Sequence, residues 1–359
     1  MLVIGYYTTI GLLVLPAMDY FLGLRVLPNV KPSGKKDNES SVGGNGVSVI
    51  IACHNEKKNI ARKVNEIVDQ LEDARVRKYE IIVVDDGSTD GSVKQIQITD
   101  NKNVVNLIKL NSRSGKPNAL NLGVEASKFP VLLFSDVRQT MSKGAVQTLL
   151  RRFEDSDIGA VSSQLELEGG NSPARRWMNN LKLMESNKGS TTGVCGALYA
   201  LKKEYFEPLP KDTILDDLVI AMNVMKNGKR VIHEPNAIVY DLPFEEFYSG
   251  RRQGRITAGL IQILKQHRGL LMKIGLIQLI FLYGQKYLKY TAPLLFGIAS
   301  VLALFSKAIT MWHYSVTIVI ISIATILSPL FVGQALQLIL SYMSQLLKFE
   351  RYNKVKWEK

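Results

Sequence analysis

The chain has 359 residues, 46% of them hydrophobic and 21% charged, with a formal net charge of +13. That length holds one large domain with segments to spare. Basic chains often bind nucleic acid, but here the basic residues flank apolar segments and no nucleic-acid module is recognisable, so nucleic acid is set aside as a partner. The two cysteines, Cys53 and Cys195, have no CxxC spacing, which excludes a disulfide framework and a zinc site and leaves small core residues in a reducing compartment.

Residues 2–18, LVIGYYTTIGLLVLPAM, carry no charge, and the apolar character continues to Leu24 with only Asp19 intervening. That is long enough to cross a bilayer. No positive side chain precedes it, as a cleaved signal peptide would require. Arg25, Lys31, Lys35 and Lys36 follow it, so residues 1–25 read as an uncleaved anchor with the N-terminus outside. Asp19, beside Tyr20, is expected at the membrane interface. Residues 26–46, ending in a Gly- and Ser-rich stretch, read as a linker.

Residues 47–268 form the expected soluble domain. VSVIIAC (47–53) is a buried-type strand, and the segment 56–72 places Ile60, Val64, Ile67 and Leu71 at helical spacing. EIIVVDD (80–86), VVNLIKL (104–110) and VLLFSD (131–136) are further strands, with a helix starting near Lys116 between the last two. LVIAMNVMKNGK reads as a later helix that stops at Gly228. Strands alternating with helices predict an open, mainly parallel α/β sheet, which binds ligands at the carboxyl ends of its strands. Those ends read ACHNE, DDGSTDGS and SDVRQ, so acids gather at one edge of the sheet. His54 reads as a loop residue. Lys116, at a helix start, suits an anionic ligand, although Gly-Lys-Pro is equally a turn signal.

Beyond the domain, residues 269–286 are apolar but broken by Lys273, Gln278 and Gln285, the pattern of an interfacial amphipathic segment. Residues 287–344 contain two apolar runs, 290–305 and 315–339, each read as a transmembrane helix, and 345–359 is a basic tail expected in the cytosol. Three crossings result, in an integral protein of the plasma membrane whose catalytic domain is cytosolic and whose surface meets membrane lipids.

The stretches VSVIIACHNE, EIIVVDDGSTDGS, SGKPNALNLG, VLLFSDVRQ, GVCGALYALKKE and TILDDLVIAMNVMKNGKRV resemble, in this order, the inverting family 2 glycosyltransferases. The resemblance is closer to their membrane-anchored, polysaccharide-synthase-like branch, the relatives of cellulose, chitin and hyaluronan synthases, and covers roughly residues 47–240. It implies a GT-A fold, a nucleotide-sugar donor that is usually a UDP sugar, and Mg²⁺ or Mn²⁺. It also implies that Asn55 and Glu56 lie by the nucleoside, that Asp86 contacts the base or ribose, and that Asp136 binds metal and diphosphate. Asp217 takes the place of the general base and Asp216 that of its acidic neighbour. Gly193 and Gly196 either let backbone approach the acceptor sugar or permit a tight turn.

These roles are chemically sound. An acceptor hydroxyl must lose a proton as it attacks the anomeric carbon, and a carboxylate can take it. A second carboxylate beside the first raises the pKa of one of the pair. The departing diphosphate needs its charge neutralised by a cation and basic side chains. The same two acids also suit a helix N-terminus, and both readings can hold together.

Two departures from the family pattern stand out. The QxxRW motif of the polymerising branch is replaced by EEFYSGRRQGRITAG, in which Arg251, Arg252 and Arg255 either bind diphosphate or meet lipid phosphates. The missing tryptophan weakens the case for processive growth. Where many nucleotide-sugar enzymes carry a second acid after Asp136, this chain has Arg138, which is expected to pair with a phosphate or with an acid of the site. The expected activity is transfer of a sugar to a polysaccharide or lipid-linked acceptor in cell-surface or extracellular polysaccharide synthesis, with synthase or export subunits as possible partners. The competing expectation is an inactive, glycosyltransferase-like subunit or scaffold of a synthase complex.

Overall fold

The computed structural model describes residues 24–31, 46–99, 104–241, 250–287 and 298. One eight-stranded sheet organises the chain: β1 (Val47–Cys53), β2 (Tyr79–Asp85), β3 (Val105–Lys109), β4 (Val131–Ser135), β5 (Thr140–Met141), β6 (Ile158–Leu167), β7 (Leu198–Lys202) and β8 (Arg230–Asp241). Their spatial order is β3-β2-β1-β4-β7-β6-β8-β5. The half from β3 to β4 is parallel, as the alternation of strands and helices requires. β7 pairs antiparallel with both β4 and β6, and β5 antiparallel with β8, while β6 and β8 are parallel. The sheet is therefore mixed, with β7 and β5 running against the direction that the other strands share. The reason is β7, which enters between β4 and β6 running the opposite way.

Helices α1 (Ile60–Asp73), α2 (Ser92–Thr99), α3 (Lys116–Ala126), α4 (Ala145–Arg151), α5 (Pro173–Asn187), α6 (Asp216–Lys226) and α7 (Gly250–Gln266) surround the sheet. α1 buries Ile60, Val64, Ile67 and Leu71 against one face, together with Val49, Ile51 and Val83. On the other face, α6 buries Leu218, Val219, Ile220, Met222 and Val224 with Ile50, Phe134 and Tyr199. α6 is apolar almost all round because both its sides are covered. α3 packs so closely on β1 that a Cβ at Gly123 would lie 2.6 Å from Ile50 Cγ2. Truncating a buried side chain such as Ile67 to alanine costs about 2–5 kcal/mol in such a core.

The segment after α7 forms α8 (Arg268–Leu271), α9 (Leu276–Leu282) and a π-helical turn at Tyr283–Tyr287. Its inward residues Ile274, Leu282 and Tyr287 join the α6 core, and Phe281 packs with Leu24 and Leu181. Among the described residues no helix is long and apolar enough to cross a membrane. The expected anchor with Asp19, the two C-terminal crossings (apart from Ile298) and the basic tail lie outside the described residues. Cys53 and Cys195 are both free and buried. Burial pushes the Cys53 thiol up to about 12, helped by Asp85 and Glu56.

Candidate active site

Parallel pairing of Cys53 with Asp85 ends β1 and β2 at the same level, so the turns after them lie side by side. Asn55 is held at φ 55°, a left-handed conformation that asparagine tolerates better than most residues. Its N–H donates to Ser88 Oγ at 2.9 Å, and its Oδ1 accepts from the Thr89 N–H at 2.9 Å. Glu56 N–H donates to Ser92 Oγ at 2.9 Å, and His54 Nδ1 donates to the Asp86 carbonyl at 2.7 Å. The ACHNE and DDGSTDGS turns are thus laced together, and Asn55 does much of the lacing.

Asp86 is buried and its carboxylate is engaged on both oxygens. Oδ1 accepts from the Ser114 N–H at 2.6 Å and the Ser114 hydroxyl at 2.9 Å, and Oδ2 accepts from the Gly115 N–H at 2.8 Å. What the geometry shows for Asp86 is a clasp on the loop that starts α3. Gly87 lets that loop come close, since a Cβ there would lie 2.9 Å from the Arg113 nitrogen. The clasp sets the position of the next residue, Lys116.

Lys116 reaches the centre of the site. Its Nζ donates to Asp136 Oδ1 at 2.7 Å and lies 3.7 Å from Asp216 Oδ2. Asp136 follows β4 and is fixed by its N–H, which donates to the Ala197 carbonyl at 3.0 Å. Asp216 and Asp217 open α6, where the helix dipole favours acids. Burial alone would discharge Lys116, but Asp136, Asp216 and Asp217 outweigh it and hold the ammonium above the usual lysine range. Asp216 is pushed up by its burial and by Asp217 and Asp136, while Lys116 and Arg255 pull the other way.

Two carboxylates thus face one cation-sized point. Among the described residues no group of three His, Cys, Asp or Glu side chains could hold a metal by itself. A Mg²⁺-type ion that keeps water and phosphate oxygens needs only one or two carboxylates, so Asp136 and Asp216 fit such an ion. The Lys116 ammonium and a metal cannot share the point.

Arg138 is turned toward an acid of the site: its Nε donates to Glu56 Oε1 at 2.5 Å. Arg255, in α7, is exposed and acts on Asp216 through its charge. Arg252 lies in the same helix, and its side chain is outside the described residues. Gly193 and Gly196 have no left-handed backbone, and a Cβ on either would meet its nearest neighbours at ordinary contact, 3.9 Å and 4.0 Å, so neither glycine is required by a tight turn. Gly196 borders the Lys116 ammonium.

Two residues of the site carry little sequence signal. Tyr199 stacks on Phe134 with centroids 4.6 Å apart, and its buried hydroxyl has no hydrogen-bond partner among the described residues. Burial, then Asp216, Asp217 and Asp136, hold that hydroxyl well above the ordinary tyrosine range. Lys182 on α5 is the second. Burial lowers its ammonium, Cys195 and Asp217 oppose the shift, and Lys286 and Arg175 add to it.

Residues 48–209 match the family model described as Glycosyl transferase family 2. The chain is 22% identical over 209 residues to the poly-beta-1,6-N-acetyl-D-glucosamine synthase of Staphylococcus aureus, covering 55% of this chain and 50% of that protein. It is 29% identical over 128 residues to an uncharacterized glycosyltransferase of Nostoc sp., covering 35% and 38%. The chain therefore spans about half the length of the staphylococcal relative. In fold it is similar to a mannosyltransferase from Pyrobaculum calidifontis solved with GDP-Man and Mn²⁺, with a TM-score of 0.68 and 19% identity over 96% of this chain and 99% of that one.

Proposed function

We propose that this chain, a glycosyltransferase by its family 2 domain, is a membrane-bound inverting enzyme. It moves a sugar from a nucleotide sugar, a UDP sugar in the first instance, to a polysaccharide or lipid-linked acceptor. The observation that carries this reading is the convergence of Asp136 and Asp216 on the Lys116 ammonium at the carboxyl ends of the strands, with Asp217 beside them.

In this reading Asp217 accepts the proton of the acceptor hydroxyl as that oxygen attacks the anomeric carbon. The bond from that carbon to the diphosphate breaks on the opposite side, which inverts the centre. Lys116 and Arg255 meet the charge that develops on the leaving diphosphate. A divalent cation, Mg²⁺ or Mn²⁺, held by Asp136 and Asp216 supplies further neutralisation when bound. Gly196 leaves room for the acceptor beside this cluster.

A membrane location is supported by the apolar runs at both ends of the sequence and by one edge of the domain. Met272 and Leu276 are 85% and 73% exposed on that edge, among Lys265, Arg268 and Lys273. Apolar side chains framed by basic ones suit a lipid surface with anionic headgroups. Leu24 packs with Leu181 and Phe281. The proposed setting is the cytosolic face of the plasma membrane, in synthesis of cell-surface polysaccharide.

The test is transfer by washed membranes from labelled UDP sugars and GDP-mannose, with Mg²⁺, Mn²⁺ or EDTA. Transfer that EDTA abolishes supports the reading. No transfer from any donor, where a related enzyme works in parallel, would replace it with the inactive scaffold.

A further inference from the structure

The loop that carries Asp136 and Arg138 leaves the sheet after Ser135 and re-enters it at Thr140, so the backbone of residues 137–139 has no strand to pair with. A helix face supplies the missing partners. Arg62 Nη2 donates to the Val137 carbonyl at 3.2 Å and the Arg138 carbonyl at 2.7 Å. Lys63 Nζ donates to the Gln139 carbonyl at 2.6 Å and to Glu66 Oε2 at 2.7 Å. Glu66 Oε1 accepts from the Met141 N–H at 2.6 Å, and Gln70 Nε2 donates to the Ser142 carbonyl at 2.8 Å. At about 100° per residue, positions 62, 63, 66 and 70 fall within an arc of about 100° on α1. The apolar stripe of Ile60, Val64, Ile67 and Leu71 lies on the adjoining face, and on the polar face Lys63 and Gln70 are buried while the Arg62 side chain stays 39% exposed.

Lys63 is fully buried. A buried cation is costly, and apolar replacement of a buried ion pair is often neutral or stabilising. Stability alone does not explain a lysine there. Burial lowers its ammonium, Glu66 opposes that shift most strongly, Arg62 adds to it, and Asp136 makes the last and smallest opposing contribution. Asp136 is held at its N–H by the Ala197 carbonyl and at Oδ1 by Lys116, and the loop that follows it is held by Lys63, Arg62 and Gln70.

We propose that Lys63, acting with Arg62 on the same helix face, is a positioning residue that fixes the loop 137–142 and thereby aims Asp136 at the donor's cation and diphosphate. This rests on the donor-site reading above. It makes the affinity for a metal–nucleotide complex depend on a side chain that touches neither component.

The experiment titrates the full chain in detergent with UDP plus Mn²⁺ and with GDP plus Mn²⁺ by calorimetry. The proteins compared are the wild type, Lys63→Met, Lys63→Arg, Arg62→Met and Lys128→Met. Loss of a supporting side chain around a metal site costs about 10–100-fold in affinity, and that range is expected for Lys63→Met, with its circular dichroism spectrum unchanged. Lys63→Arg recovers most of the loss. Lys128, on the far side of the sheet and 76% exposed, changes nothing when replaced. A Lys63→Met protein that folds and binds as tightly as the wild type overturns the proposal. Where Lys63→Met does not fold, Arg62→Met decides, and wild-type affinity in it overturns the proposal equally. A wild type that binds neither nucleotide overturns the donor-site reading and this inference with it, a result distinct from binding that the variants leave intact.

Discussion

The Lys116 ammonium lies 2.7 Å from Asp136 Oδ1 and 3.7 Å from Asp216 Oδ2, so one lysine serves as the near counter-charge for two acids of the site. Lys116→Met removes it. Asp216 is already raised by burial and by Asp217 and Asp136, and Lys116 is the first influence opposing that rise. Without it the protonated form is favoured further, and a higher pH is needed to ionise Asp216. The acid limb of the pH–rate profile of Lys116→Met is therefore expected at higher pH than in the wild type, with activity at pH 6 reduced more than at pH 8. Equal reduction at both would mean that the lysine serves the donor alone.

Asp217→Asn keeps the size of the side chain and removes its capacity to accept a proton. General-base catalysis contributes about 10²–10⁴-fold, so kcat should fall by that order while the donor KM stays within a few-fold. Asp136→Ala should instead raise the donor KM and shift the Mn²⁺ titration. A variant of Asp217 as active as the wild type would move the base elsewhere, with Asp216 the next candidate.

Arg138 and Glu56 form a pair that links the loop after β4 to the turn after β1. Arg138 is 46% exposed, so solvent screens the pair and its worth is about 0.2–1 kcal/mol. A double-mutant cycle with Arg138→Met and Glu56→Gln, read by the donor KM, should show that coupling, with the two changes together costing less than their sum. Strict additivity would mean that Arg138 acts on the donor directly and leaves Glu56 when donor binds.

Much of the candidate site was legible because parallel strands end in chemistry. VSVIIAC, EIIVVDD and VLLFSD each announce a buried strand, and the acids after them do meet around one site. Asp86 shows a second role that this logic does not reach. A strand-end acid reads as a ligand contact, and the structure also gives its oxygens Ser114 and Gly115, a partnership whose spacing leaves no periodic trace in the sequence. The strands β6 and β8 escaped for another reason. Ser162, Ser163, His233 and Glu234 are buried polar residues that interrupt the apolar pattern a strand search relies on. On the polar face of α1, Arg62, Lys63, Glu66 and Gln70 are hydrophilic and give no sequence sign of a partner. The loop 137–142, brought over by the fold, meets this face and buries Lys63 and Gln70. Arg138 was expected to meet a phosphate or an acid of the site, and the structure gives it the acid Glu56.

His233 provides a test on stability. It is 3% exposed, its Nδ1 has no hydrogen-bond partner among the described residues, and burial, aided by the Lys182 charge, lowers it to about 3. The folded state therefore refuses a proton that the unfolded chain accepts below its ordinary value of about 6.5. Above that value the residue costs nothing. As pH falls from about 6.5 toward about 3, the unfolded state binds the extra proton and folding stability is lost at up to about 1.4 kcal/mol per unit. His233→Gln removes the titration and keeps an amide that can face Gln164, the present partner of Nε2. Urea unfolding at pH 7.5 and pH 5, followed by circular dichroism, should show a smaller drop on acidification in His233→Gln than in the wild type. Equal drops in the two proteins would place the acid sensitivity in other groups and show that the histidine becomes charged without unfolding the chain.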